Sequence, residues 1–129
     1  MRILYRSSIL LLASVLIPAC GMNNNTSNTM APSFGGLATA TPGAATGEVT
    51  LAWAPAIELN GGTLIYDVFQ TNAGSGTENL SAPSYQTSSG TGLTVTGLNS
   101  LNHYWFIVQA QDSGGNVDGN TMEVEVIAP

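Results

Sequence analysis

Basic side chains are almost absent from this sequence. It has no lysine, and both arginines, Arg2 and Arg6, lie within the first six positions. All eight acidic residues follow residue 20, so that part of the chain carries only negative side-chain charge. Phosphate backbones are bound by Lys and Arg, which release condensed counterions, so the composition excludes nucleic acid as a partner. It also excludes electrostatic attraction to anionic lipid.

Long apolar runs are also scarce. The main one covers residues 9–17, broken only by Ser14, and it follows the two arginines. A membrane-spanning helix needs about 20 apolar residues, so this run is too short to cross a bilayer. Its length and its positively charged flank are typical of a signal peptide. The run ends in Ile-Pro-Ala-Cys at residues 17–20.

Cys20 is the only cysteine of the chain, and it falls at the end of this run. The segment resembles the lipobox of bacterial lipoprotein signal peptides, although Pro18 is uncommon at the middle position. The resemblance implies cleavage before Cys20, a diacylglyceryl thioether on its sulfur, and a fatty acyl chain such as palmitate on its new amino group. Two or three such chains hold a protein firmly to a membrane. The alternatives are an ordinary secretory signal with a chance cysteine, or a buried cysteine.

This interpretation assigns residues 1–19 to a lipoprotein signal peptide and predicts a place in the bacterial cell envelope. Gly21 stands where Asp would favour inner-membrane retention, so the outer membrane is expected if the cell is Gram-negative. Residues 20–33 are polar and lack an apolar period, and we expect a flexible tether of about 20 Å there. An acylated Cys20 leaves no thiol for a disulfide, a nucleophile or a metal site, so packing alone must stabilise the domain.

Helical periodicity is absent from residue 34 onward. No run of ten residues keeps a 3.6-residue period without Gly, Pro or β-branched interruptions, whereas short alternating stretches recur between turn residues. Alternation places every second side chain on one face, as in Val49, Leu51 and Trp53. The pattern predicts an all-β sandwich in one domain, 34–129. The candidate strands are Leu37–Thr41, Glu48–Trp53, Thr63–Thr71, Thr91–Thr96, His103–Gln111 and Thr121–Ile127.

Several segments of this domain have recognisable motifs: Val49-x-Leu51-x-Trp53 with Ala54-Pro55-Ala56, Tyr66-x-Val68, Gly97-Leu98 before Tyr104, Tyr104-x-Phe106-x-Val108-x-Ala110, and the turn Asp112–Asp118. Together they resemble a fibronectin type III domain over about 95 residues. The resemblance implies an immunoglobulin-like sandwich of seven strands without a disulfide. A proline common before the corner tyrosine is missing, and most surface charges are replaced by Thr, Ser, Asn and Gln.

Residues with possible chemistry are few, and we expect neither an enzyme nor a cofactor. His103 is the only histidine and is predicted to be a solvated surface residue. Glu123 and Glu125 share one face of a strand, where they keep an edge polar. The loop residues Asp112, Asn116 and Asp118 are weak candidates for a cation site, but their spacing fails the EF-hand pattern and suits a tight turn.

Alternation also predicts an apolar patch on the outside of the sandwich. If Tyr104, Phe106 and Val108 face inward, Trp105 and Ile107 face outward. Ile65 and Phe69 do the same on a strand that is its neighbour in the resembled fold, so these four residues form a candidate binding face. The alternative is that another strand or a loop near Tyr85 covers them.

The expected function is a lipid-anchored module that contacts an envelope protein or a carbohydrate at the surface. Large aromatic side chains supply much of the free energy of such contacts, and Trp105 is the one placed to do so. The alternative is a small structural or assembly subunit of an envelope complex.

Overall fold

The computed structural model describes residues 29–88 and 90–129. The predicted signal peptide and Cys20 lie outside the described residues. Within the described part, no helix is long and apolar enough to cross a membrane. Seven strands are present: β1 Leu37–Pro42, β2 Val49–Trp53, β3 Leu64–Thr71, β4 Tyr85–Thr87, β5 Gly92–Val95, β6 His103–Asp112 and β7 Glu123–Ile127.

The strands form two antiparallel sheets. One has three strands in the order β1-β2-β5, and the other has four in the order β4-β3-β6-β7. The predicted fold class, an immunoglobulin-like sandwich of seven strands, is confirmed. The longest ladder joins β3 to β6, from Leu64 opposite Asp112 to Thr71 opposite Trp105. This ladder fixes which side chains of the larger sheet stand next to one another.

The core lies between the sheets and follows the predicted alternation. Trp53 is 4% exposed and packs on Tyr66, with ring centroids 5.3 Å apart. The Tyr104 hydroxyl accepts a hydrogen bond from the Asn99 backbone N–H at 2.9 Å, which is the tyrosine corner of such sandwiches. The buried cluster is Leu37, Val49, Leu51, Trp53, Tyr66, Val68, Val95, Tyr104, Phe106, Val108, Ala110, Val126 and Ala128.

Apart from shifts of one residue at strand ends, the strand predictions differ from the structure at two places. The strand β4 was not among the candidates, because three residues are too few to show a period of two. The last strand begins at Glu123, not Thr121, so Met122 precedes it and is 55% exposed instead of joining the core. Both differences concern the two edge strands of the larger sheet.

The two poles of the sandwich are closed differently. At one pole, the N-terminal segment contacts the β2–β3 loop: Ser33 and Ile57 exchange two backbone hydrogen bonds, and Asn60 Nδ2 donates to the Met30 carbonyl. Met30 and Ser33 belong to the predicted tether 20–33, and in the structure they are hydrogen-bonded to the domain. At the opposite pole, Gly47 N–H donates to the carbonyl of Pro129. A Cβ on Gly47 would lie 2.3 Å from the Leu98 carbonyl oxygen.

Candidate functional site: the outer face of the four-stranded sheet

The outer face of the β4-β3-β6-β7 sheet holds all four residues of the predicted binding face. The ladder places Phe69 beside Ile107, and Ile107 beside Glu123 on β7. Trp105, two residues before Ile107 on β6, lies beside Glu125 on β7. Because side chains alternate along a strand, these residues form a row on the side of the sheet that faces away from the core. In agreement, neither Phe69 nor Ile107 belongs to the core cluster.

The patch is not exposed as predicted, because the loop 72–84 crosses it. Phe69 is 2% exposed and Ile107 is 4% exposed. Loop residues border Ile107, and Glu123 holds the loop in place: its carboxylate accepts hydrogen bonds from Ser75 Oγ at 2.6 Å and from Gly76 N–H at 2.7 Å. The loop is thus attached by hydrogen bonds and lies over apolar side chains. The alternative expectation is that another strand or a loop near Tyr85 covers the patch, and the loop that does so directly precedes Tyr85 and β4.

The four predicted residues also do not form one continuous surface. Asp67 and Gln109 lie opposite each other in the ladder, between Ile65 and the Phe69–Ile107 pair. Both polar side chains are 7% exposed and hydrogen-bonded: Gln86 Nε2 donates to Asp67 Oδ1 at 2.7 Å, and Gln109 Nε2 donates to the Asn120 carbonyl. Ile65 is half-buried on the far side of this polar row. It is therefore separated from Trp105.

Trp105 remains the accessible aromatic of this face. It is half-buried, and its ring stacks on the His103 imidazole with centroids 6.0 Å apart and an interplanar angle of 24°. His103 Nδ1 lies 2.5 Å from Glu125 Oε1, and both side chains are about half exposed. An aromatic ring flanked by an imidazole and a carboxylate offers both apolar area and hydrogen-bonding groups to a partner.

A cleft of about 340 Å³ opens beside this surface. It is lined by Ser75, Gly76, Glu78, Leu80, Ile107, Thr121 and Glu123. Burial raises the pKa of the Glu78 carboxyl, and hydrogen bonding and repulsion from Glu123 raise it further. The hydrogen bonds from Ser75 and Gly76 lower the pKa of Glu123. The two neighbouring carboxyls therefore differ, with Glu123 the more acidic, and they can accept or donate hydrogen bonds to a polar ligand.

Asp112, Asn116 and Asp118, the weak candidates for a cation site, form hydrogen bonds within the β6–β7 loop and to its flanking strand. Asp112 Oδ1 accepts hydrogen bonds from the N–H groups of Gly114 and Asn116, and its Oδ2 accepts from Asn116 Nδ2. Asp118 Oδ1 accepts from the Ala110 N–H at 2.6 Å. These are the bonds expected of turn residues. In residues 29–88 and 90–129, no group of three or more His, Cys, Asp or Glu side chains could hold a metal ion.

Two parts of this surface were missed by the sequence reasoning. The pairing of His103 with Trp105 had a signal, because residues two apart on a strand share a face. No sequence signal indicates that Ser75, Gly76 and Glu78 lie next to Glu123 in the cleft. Their Gly- and Ser-rich segment predicts a loop, but nothing in the sequence indicates that this loop reaches Glu123 on a strand 47 residues away.

Comparison with known proteins supports the fold. No protein-family model matches the chain, and none of the curated proteins compared with it is significantly similar. A crystal structure described as an Fn3-like protein from Clostridium thermocellum matches with a TM-score of 0.59 and 22% identity. The match covers 78% of this chain and 96% of that one. At this identity the likeness concerns the fold alone. The described domain is a fibronectin type III-like β-sandwich.

Proposed function

We propose that this chain is a lipid-anchored protein of the bacterial cell envelope, whose Fn3-like domain binds another protein or a carbohydrate. The contact surface is the outer face around Trp105. The observation that carries the proposal is a half-buried tryptophan, flanked by exposed His103 and Glu125, on a surface otherwise rich in Thr, Ser, Asn and Gln. Aromatic rings in such settings contribute strongly to interfaces and stack on sugar rings.

The proposed role is binding and not catalysis. The lining of the cleft that holds Glu78 and Glu123 does not include His103. His103 instead pairs with Glu125 in solvent. This arrangement suits recognition through hydrogen bonds and stacking.

The lipobox-like sequence that ends at Cys20 supports the proposed anchor. Replacing Cys20 by Ser removes the sulfur that would carry diacylglycerol. We expect the Cys20→Ser protein to lose fatty-acid labelling and to be released or left unprocessed. A variant that is processed normally, incorporates labelled fatty acid and stays in the membrane fraction would show the anchor assignment to be wrong.

The contact surface is tested by Trp105→Ser, with Trp105→Phe as the matched control that keeps an aromatic ring. Intact cells that express each full-length form are treated with a mild cross-linker, and the captured partners are identified. We expect Trp105→Ser to lose a partner that wild type captures and Trp105→Phe to keep part of the capture, at nearly unchanged thermal midpoints. Full capture by Trp105→Ser, or a large loss of its stability, would contradict a contact role.

A further inference from the structure

Exposed large apolar side chains are concentrated at one pole of the sandwich. We call it the anchor pole: residues 29–36, the β2–β3 loop 54–63 and the β6–β7 loop 113–122. A Cβ on Gly62 would lie 2.8 Å from Ser113 Oγ, and one on Gly36 would lie 3.0 Å from Met122 Cβ, so these segments are in contact. In the part of the chain that the structure describes, the exposed large apolar residues at this pole are Met30, Ile57, Leu59, Val117 and Met122.

The chain enters the domain at this pole. Thr29 is the first described residue, and only eight residues separate it from Cys20. A chain spans at most about 3.6 Å per residue, so acyl groups on Cys20 would hold the anchor pole within roughly 30 Å of the bilayer. The opposite pole lies farther away by the length of β6, whose ten residues extend roughly 33 Å.

Three of the exposed residues form a connected group. Met30, Ile57 and Leu59 are 53%, 62% and 49% exposed. The Asn60 side chain donates to the Met30 carbonyl, and Ile57 is bridged to Ser33, so the two segments are held side by side. Glu58, between Ile57 and Leu59, is only partly exposed, and its carboxylate accepts the Asn60 N–H at 2.8 Å. The Glu58 carboxylate is thus hydrogen-bonded within the loop and does not extend beyond Ile57 and Leu59.

From these observations we infer that the anchor pole rests on the lipid bilayer and inserts Met30, Ile57 and Leu59 at its interface. The inference depends on the lipid anchor proposed above. Three partly exposed side chains bind membranes weakly by themselves, but a short tether keeps their local concentration near the bilayer high. Since the sequence has no basic residue after Arg6, the contact is apolar and needs no anionic lipid. Trp105 lies near the start of β6, at the end of the sheet away from the anchor pole, so it stays clear of the membrane and can meet a partner.

The test uses the full acylated protein in phosphatidylcholine vesicles. An environment-sensitive fluorophore is attached at Leu59→Cys, and in a matched control at Leu101→Cys on the opposite pole, where the leucine is 79% exposed. A second label at Ile57→Cys repeats the measurement at the anchor pole. Quenching by brominated lipid and by aqueous iodide is measured at each position. We expect brominated lipid to quench the labels at 59 and 57 at least threefold more than the label at 101, with iodide showing the reverse order.

Equal quenching at both poles by brominated lipid would overturn the inference. Shielding of position 59 from iodide without quenching by lipid would also overturn it, because a second copy of the chain would then cover the pole. Mass spectrometry of the same sample separates the two proposals. Absence of acyl mass on Cys20 refutes the anchor and the inference together, whereas an acylated protein with position 59 in water refutes the inference alone.

Discussion

The two faces of β6 are built from alternate residues of one strand, yet different forces organise them. The inner face presents Tyr104, Phe106 and Val108, which are at most 3% exposed and pack against the other sheet. The outer face alternates His103, Trp105 and Ile107, and only Ile107 is fully covered. The inner face is buried by apolar packing against the other sheet. The outer face is covered in part by the loop 72–84, which is hydrogen-bonded to the Glu123 carboxylate.

Because of this difference, loss of a contact on the outer face should destabilise the protein less than loss of a contact on the inner face. An inner residue touches side chains from both sheets, so its removal leaves a cavity. The cover of the outer face depends on two hydrogen bonds to Glu123 and on the apolar side chain of Ile107 below. Beyond the loop, the surface around Trp105 is open to a partner. The effects of substitutions should therefore decrease from the core to the loop to the open surface.

The largest effect is expected in the core. Trp53→Ala removes a ring that is 4% exposed and packed on Tyr66, and it should lower the free energy of unfolding by about 3–5 kcal/mol. Small domains have about 5–15 kcal/mol in total, so most of the stability would be lost. Urea unfolding measures this. Trp53→Phe is the control, because the buried Nε1 that it removes has no hydrogen-bond partner in the described structure. A midpoint unchanged by Trp53→Ala would mean that Trp53 is not central.

A smaller effect is expected under the loop. Ile107→Ala removes apolar area that is 4% exposed but borders the cleft, so the surroundings can relax and water can enter. We expect a loss of about 2 kcal/mol, the lower end for such a substitution in a core. Differential scanning calorimetry with Ile107→Val as the control measures it. A loss as large as that of Trp53→Ala would remove the distinction between the two faces.

The loop attachment should respond to pH with a defined sign. Because the pKa of Glu123 is lowered in the folded protein, its contribution is present above the ordinary Glu pKa of about 4.3 and is lost as the pH falls through the folded value. Glu123→Gln should cost about 1 kcal/mol at pH 7 and less near pH 3. Glu78 has the opposite sign: its raised pKa means that its contribution is present below 4.3 and lost at higher pH.

Glu78→Gln is therefore the matched control, and it should leave stability at pH 7 unchanged or slightly higher. Urea unfolding of both variants at pH 3 and pH 7 separates the two carboxyls. Equal losses from the two substitutions at pH 7 would contradict the assignment of Glu123 as the residue that holds the loop.

The smallest effect is expected on the open surface. His103 and Glu125 are hydrogen-bonded to each other and are 53% and 49% exposed, and such exposed pairs contribute little because solvent screens them. Glu125→Gln should change stability by no more than about 0.5 kcal/mol. Thermal unfolding with Glu123→Gln measured in parallel tests the ranking along β7. A loss from Glu125→Gln that exceeds the loss from Glu123→Gln would reverse it.

The sequence predicts the inner face well, because a period of two is a local property. Val49, Leu51 and Trp53, and the alternating set from Tyr104 to Ala110, lie in the core as expected. The exceptions are a short strand and the start of another strand, where alternation covers too few residues to be recognised. The strand β4 has three residues, and Met122 precedes β7 instead of belonging to it.

The outer face could be predicted only in part. Alternation correctly places Ile65, Phe69, Trp105 and Ile107 on one side of the sheet, but it says nothing about what covers them. The covering loop is attached through contacts between Gly76 and Glu123, which are 47 residues apart and leave no periodic signal. Alternation also places Asp67 and Gln109 on this face, but it does not show that they are neighbours. That pairing depends on the register between β3 and β6.

The chain has two tryptophans, Trp53 in the core between the sheets and Trp105 on the outer face of the four-stranded sheet, and they test the central claim directly. Hydroxyl-radical footprinting with mass spectrometry measures the oxidation rate of Trp53 and Trp105 in the isolated full-length protein and in intact cell envelopes. The account predicts that Trp53 is protected in both samples, while Trp105 is oxidised in the isolated protein and protected in the envelope, where its partner is present. Oxidation of Trp105 at the same rate in both samples would contradict the claim that the outer face is a contact surface.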